Sequence, residues 1–163
     1  SWVIIGHSER RNILGETNSM INDKILFSLK KGLRVIFCIG ERIEEKTRGR
    51  TLSVIKKQIE IGLNGVKTAQ LDNLIFAYEP VWAIGSGITA EPQDADSVHL
   101  SIKQFVSDRF NCNTEKIRVM YGGSVKSGNI DSLIKEPNID GVLVGGASLD
   151  KESLIRIIRS SGV

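Results

Sequence analysis

Glu79 is the residue around which a reaction could be built. The apolar run Phe76-Ala77-Tyr78 stops at this one carboxylate, and Pro80 follows at once. Proline fixes its own φ and biases the residue before it toward extended backbone, so Glu79 belongs at the carboxyl end of a strand. Val81, Trp82, Ala83 and Ile84 come next, ahead of Gly85-Ser86-Gly87. Apolar residues in a loop hinged by proline and glycine suit a segment that closes over something. Taken alone, the stretch slightly favours a plainer reading, a solvated glutamate and a loop folded onto the core.

Other strand ends carry complementary chemistry. His7 directly follows Gly6 at the end of the apolar run Trp2-Val3-Ile4-Ile5. Tyr121-Gly122-Gly123-Ser124 and Gly145-Gly146-Ala147-Ser148 put glycine pairs after two consecutive strands. Backbone N–H groups there reach an anion without Cβ obstruction, and a following helix N-terminus adds positive potential. One pair alone is a tight turn; two on successive strands point to an anion site. A lone histidine is more often structural than catalytic. An imidazole and a carboxylate near a bound phosphate, however, suit proton transfer beside a carbonyl. Glu9 and Arg10 read as an ion pair fixing the loop after His7, and His99, on a helix, is given no chemistry. No His, Cys or carboxylate cluster has metal spacing, so the chemistry expected needs no cofactor.

The elements that position these residues alternate along the chain. Short apolar strands are expected at Trp2 to Ile5, Arg34 to Ile39, Asn73 to Tyr78, Ile117 to Met120 and Asp140 to Val144. Helices are expected from Asn22 or Asp23 to about Lys31, Thr51 to Leu63, about Asp94 to Phe110, near Asn129 to Lys135 and about Lys151 to Arg159. The second carries Leu52, Ile55, Ile59 and Leu63 at spacings of three and four, an amphipathic stripe. Strands that are apolar throughout are buried on both faces of a parallel sheet. Every polar or glycine-rich cluster falls at a strand's carboxyl end, the active-site edge of parallel α/β folds.

The 163 residues are 40% hydrophobic and 25% charged, ordinary for a single globular domain, residues 1–163. A net charge of +3 without a basic run argues against a nucleic-acid partner. Cys38 lies in an apolar run and Cys112 in a polar turn, with no disulfide framework, which suits a reducing, cytoplasmic setting. No apolar stretch approaches the roughly 18 residues of a membrane span. The first residues already belong to a strand-like run without an initiator methionine, so the sequence reads as a piece of a longer chain.

Four motifs resemble the triosephosphate isomerase family, in family order: Gly6-His7-Ser8-Glu9-Arg10-Arg11, Tyr78-Glu79-Pro80-Val81-Trp82-Ala83-Ile84-Gly85-Ser86-Gly87, Tyr121-Gly122-Gly123-Ser124-Val125 and Gly141-Val142-Leu143-Val144-Gly145-Gly146-Ala147-Ser148. The resemblance runs through the whole chain. It implies a parallel (β/α)8 TIM barrel of which about five βα units, strands four to eight, are present. It implies Glu79 as the base that moves a proton between two carbons of a triose phosphate, and His7, as neutral imidazole, as the electrophile at its carbonyl. Backbone N–H groups of Gly85, Ser124, Gly145 and Gly146 would hold the phosphate. Pro80 to Gly87 would be the lid, and Glu9 would support the catalytic loop. A homodimeric, cofactor-free enzyme of glycolysis and gluconeogenesis follows from the same resemblance. Ser86 and Ile88 stand where threonine and lysine are common. A full barrel runs to about 250 residues, so roughly 90 are missing, among them the family's first-loop asparagine and lysine. On that ground the isolated chain is expected to be inactive. A non-catalytic phosphate-binding half-barrel and a different phosphate-handling barrel are the alternatives.

Overall fold

The computed structural model describes residues 1–84 and 88–162. They form one sheet of five parallel strands, β1 (Trp2–Ile5), β2 (Arg34–Ile39), β3 (Leu74–Tyr78), β4 (Val119–Tyr121) and β5 (Gly141–Val142), whose spatial order equals their chain order. The helices are α1 (Ser8–Asn12), α2 (Asn18–Lys30), α3 (Ile43–Thr47), α4 (Thr51–Gly62), α5 (Pro92–Phe110), α6 (Ile130–Leu133) and α7 (Lys151–Ser160). Each strand pairs in parallel with the next after a helical crossover, the layout of a partial TIM barrel.

Alternation along the strands sorts the core. Val35, Phe37 and Ile39 of β2, Leu74, Phe76 and Tyr78 of β3, and Val119 and Tyr121 of β4 are all buried. They share one cluster with Ile21 and Ile25 of α2, Ile55 and Ile59 of α4, and Ile102 and Val106 of α5. The opposite face is only partly covered by the described residues, with Trp2 37% and Ile4 46% exposed, whereas the sequence predicts burial on both faces. Leu52 likewise stays 43% exposed, so the buried stripe of α4 begins one turn later than its periodicity suggests.

Several boundaries differ from the sequence expectation. Helix α2 starts a turn before Asn22, because the Thr17 hydroxyl accepts from the Met20 N–H at 3.3 Å and caps it. That start brings Ile21 onto the buried stripe, and Asn22 is left to donate to the Gly62 and Asn64 carbonyls. Strand β4 is shifted toward Tyr121, and β5 keeps only two paired residues because the Asp140 carboxylate accepts from Val119 N–H and from Lys103. Helices α1 and α3, five residues each, have no counterpart in the sequence reading.

One glycine decides where Glu79 sits. A Cβ on Gly40 would lie 1.7 Å from the Glu79 carbonyl oxygen, so β2 and β3 can run side by side past their ends only because Gly40 lacks one. The Glu79 N–H then donates to the Ile39 carbonyl at 2.8 Å and extends the ladder to the acid itself.

Candidate active site

The carboxyl ends of the strands surround a cleft of about 660 Å³ whose lining includes His7, Glu79, Ser124, Lys126, Gly145 and Gly146. A smaller cavity of about 280 Å³ is lined in part by Glu41, Tyr78 and Trp82. The larger cleft holds most of the residues singled out by sequence. Gly85 lies outside the described residues.

Glu79 is 2% exposed, not solvated as the plainer reading of its stretch has it. Its Oε2 accepts from the Ser8 N–H at 2.8 Å. Its Oε1 lies 3.2 Å from His7 Nε2 yet makes no aligned hydrogen bond, so one carboxylate oxygen is held and the other keeps its lone pairs. Burial pushes the Glu79 carboxyl above its ordinary range, against the opposing pull of His7, the Ser8 N–H, the Cys38 thiol and Arg11. A carboxylate made more basic by desolvation is suited to abstracting a proton.

His7 caps α1, and its Nδ1 accepts from the Glu9 N–H at 3.4 Å. An imidazole whose Nδ1 is an acceptor carries its proton on Nε2, the nitrogen turned toward Glu79. The turn before it depends on Gly6, at φ +80°, where a Cβ would also meet Arg11 and the Cys38 carbonyl at 3.0 Å each. The Arg11 guanidinium donates to the Gly6 and Cys38 carbonyls at 2.7 and 3.0 Å and fastens the end of β1 to that of β2.

The expected Glu9 to Arg10 pair is not formed. Adjacent residues on a helix do not face each other. Arg10 reaches instead to the buried Glu16, with Nε and Nη2 both 2.6 Å from Oε1, while the exposed Glu9 carboxylate stands 4.0 Å from His7 Nδ1.

Beside the Val81–Ala83 turn lies an acid that sequence reasoning did not single out. Glu41 is 1% exposed, and its Oε1 accepts from Tyr78 Oη at 3.2 Å and Trp82 Nε1 at 2.9 Å. The Lys46 ammonium lies 3.4 Å from the Trp82 ring centroid, and Val81–Ala83 form a 3₁₀ turn. The strand end Gly40-Glu41-Arg42 was the available signal, the same signal that marks His7.

On the far side of the cleft the lining is backbone. Among the described residues the N–H groups of Ser124 and Gly145 donate to no carbonyl or side chain, and Gly146 opens a 3₁₀ turn, ahead of its first internal bond. Apart from the adjoining residues of the chain, no described heavy atom lies within 4 Å of where a Cβ would stand on Gly145 or Gly146. Lys126, exposed beside them, is a second residue missed by sequence reasoning. Among the described residues no group of three or more His, Cys, Asp or Glu side chains could hold a metal ion, and no helix is long and apolar enough to cross a membrane.

A protein-family model described as triosephosphate isomerase matches residues 1–161. A curated triosephosphate isomerase of Syntrophotalea carbinolica is 45% identical over 163 residues, covering 99% of this chain and 65% of that protein. One of Carboxydothermus hydrogenoformans is 50% identical over 161 residues, covering 98% of this chain and 64% of its own length. A third, of Dictyoglomus thermophilum, is 47% identical over 161 residues, again covering 98% of this chain and 65% of the relative. The chain thus spans just under two thirds of the length of the curated relatives it matches.

Proposed function

The chain belongs to the triosephosphate isomerase family, and from that premise we propose that the protein interconverts dihydroxyacetone phosphate and glyceraldehyde 3-phosphate. The Glu79 carboxylate removes a proton from the hydroxymethyl carbon of the ketose. The C–H electron pair becomes a carbon–carbon double bond, and the carbonyl pair moves onto oxygen, where the Nε2–H of His7 meets the developing charge. Transfer of the remaining hydroxyl proton to that oxygen, through the His7 imidazole, and return of the abstracted proton from Glu79 to the neighbouring carbon give the aldose. Ser124, Gly145 and Gly146 hold the phosphate through their N–H groups, joined by Gly85 of the lid, and Glu9 supports the loop that carries His7. The single observation that carries this reading is the unpartnered Glu79 Oε1 lying 3.2 Å from His7 Nε2 in the cleft that the glycine turns also line.

A homodimer, a cytoplasmic setting and a place in glycolysis and gluconeogenesis belong to the same proposal, as does the absence of a cofactor or nucleic-acid partner. So does inactivity of the 163 residues expressed alone: β1 and β5 are both open edges and Ile4 is exposed, whereas a barrel packs its interior in layers drawn from the whole ring. The test is isomerase assay of the protein at the length its gene encodes. Turnover of both triose phosphates is expected. A folded protein that binds a phosphate ester without turnover would favour the non-catalytic half-barrel instead.

A further inference from the structure

On the buried stripe of α4, between Ile55 and Ile59, one position is polar: Gln58, 9% exposed. A buried amide needs partners for both its ends. Gln58 finds them on a single residue of the chain. Its Oε1 accepts from the Gly40 N–H at 2.8 Å, and its Nε2 donates to the Gly40 carbonyl at 2.9 Å. Because only oxygen can accept from an N–H, this pairing also fixes which way the amide points. Gly40 lies one residue past the end of β2, and its two backbone groups are thus met from the helix layer.

The residue so gripped is the one that Glu79 lies against. The Ile39 carbonyl, just before Gly40, accepts from the Glu79 N–H at 2.8 Å, and the Glu41 carbonyl, just after it, accepts from the Val81 N–H at 3.1 Å. These two bonds bracket Gly40 on one strand end and the Glu79-Pro80 pair on the next. A Cβ on Gly40 would stand 3.2 Å from Glu79 Cα as well as 1.7 Å from its carbonyl oxygen, so no slack separates the two backbones. A shift of residues 39–41 is therefore passed to the acid. Displacement of a reacting group by about 1 Å can cost on the order of a hundredfold in rate.

We propose that Gln58 is a positioning residue of this site, which by holding both polar groups of Gly40 sets the strand end against which Glu79 is registered. The proposal rests on the functional reading above. Gln58 does not line the cleft, so its effect reaches the reaction through Glu79 and falls on kcat rather than on KM.

The test is a double-mutant cycle, in the protein at the length its gene encodes, between Gln58→Leu and Glu79→Gln. Gln58→Leu should lower kcat about ten- to thirtyfold, leave KM and the affinity for glycerol 3-phosphate within about twofold of wild type, and melt lower because two buried backbone groups lose their partners. In the Glu79→Gln background, where no base remains to be placed, the same substitution should change kcat by less than about twofold. Gln58→Asn keeps an amide but is one methylene too short to meet both groups of Gly40. It should show a smaller loss with the same dependence on Glu79, and where Gln58→Leu does not fold this variant decides. Wild-type kcat in the folded Gln58 variants overturns the proposal while leaving the functional reading intact. So does an equal loss of kcat with and without the Glu79 carboxylate, which would make Gln58 a support of the fold alone. If wild type turns over neither triose phosphate, the functional reading falls and this proposal falls with it.

Discussion

The two ends of the cleft are built on opposite terms. At the acid end the working groups are side chains. Glu79 is nearly enclosed, one of its oxygens is fixed by the Ser8 N–H, and Gly40 lets β2 approach close enough to fix its backbone as well. At the end proposed to hold the anion the groups assigned to that task are backbone, after the short strands β4 and β5, around open space. The difference suits the two tasks proposed for them. Proton transfer needs one atom at one place with a tuned basicity, whereas an oxyanion needs several donors and no obstruction. The acid end should therefore fail by change of chemistry at constant shape, and the anion end by change of shape at constant charge.

The largest effect expected is that of Glu79→Gln, which keeps shape and removes basicity. In the protein at its encoded length kcat should fall about a thousandfold, roughly 4 kcal/mol, with little change in KM. A variant keeping more than about a tenth of wild-type kcat, a deficit of only ~1.4 kcal/mol, would remove Glu79 from its role.

The next effect lies behind the acid end. His99 on α5 is fully buried, stacks edge-on against Tyr78 with ring centroids 5.7 Å apart, and contacts the Asn138 carbonyl at 3.3 Å through Nδ1. Burial holds its pKa down to about 4 from 6.5, with Lys103 acting in the same direction and Asn138, Asp140 and Asp96 opposing. The unfolded chain then takes up a proton that the folded chain refuses. Stability is complete above about pH 6.5 and falls as pH drops toward about 4, by about 3 kcal/mol in all. Melting temperature against pH should show this acid limb in wild type and a shallower one in His99→Gln. Limbs of equal steepness would assign the acid sensitivity elsewhere.

How much of this was legible in the sequence depended on the kind of signal. Strand β2 runs from Arg34 to Ile39, as the apolar run Val35 to Ile39 ahead of Gly40 predicts. The placement of Glu79 and His7 at strand ends was legible because proline and glycine mark such ends locally. Helix α2 was misplaced because Asn22 and Asp23 resemble caps, whereas Thr17 caps it earlier and Ile21 is buried on it. Helices α1 and α3 are too short for any periodicity to appear. Glu9 was paired with the wrong neighbour, since sequence adjacency says nothing about direction on a helix. Glu41 and Lys126 were passed over because charge at a loop does not reveal which side of the loop faces a cavity.

The anion end gives the third prediction. Gly146→Val should weaken binding of glycerol 3-phosphate about tenfold or more, ~1.4 kcal/mol upward, because the side chain occupies space that phosphate oxygens need. The open surroundings of Gly146 should let the melt stay close to wild type. Calorimetric titration beside thermal melting checks both halves. Unchanged affinity with an intact melt would contradict the assignment of this turn to the anion.

The smallest effect returns to Glu79, as a cost in stability. Its carboxyl is raised by burial, so between the unfolded value of 4.5 and the higher folded one the native state holds the proton that the unfolded state has released. Stability contributed by this group is therefore present at low pH and lost as pH rises through that window, opposite in sign to the limb from His99. Glu79→Gln removes the penalty while keeping an oxygen for the Ser8 N–H. The variant should then melt slightly above wild type at neutral pH and gain nothing below about pH 4.5. Because both proteins keep His99, subtracting their melting curves isolates Glu79. The same subtraction for Gly146→Val, which carries no buried titrating group, should be flat with pH. A Glu79→Gln difference that is also flat would mean that the acid end is not held under the desolvation its burial implies, and the contrast between the two ends would reduce to geometry alone.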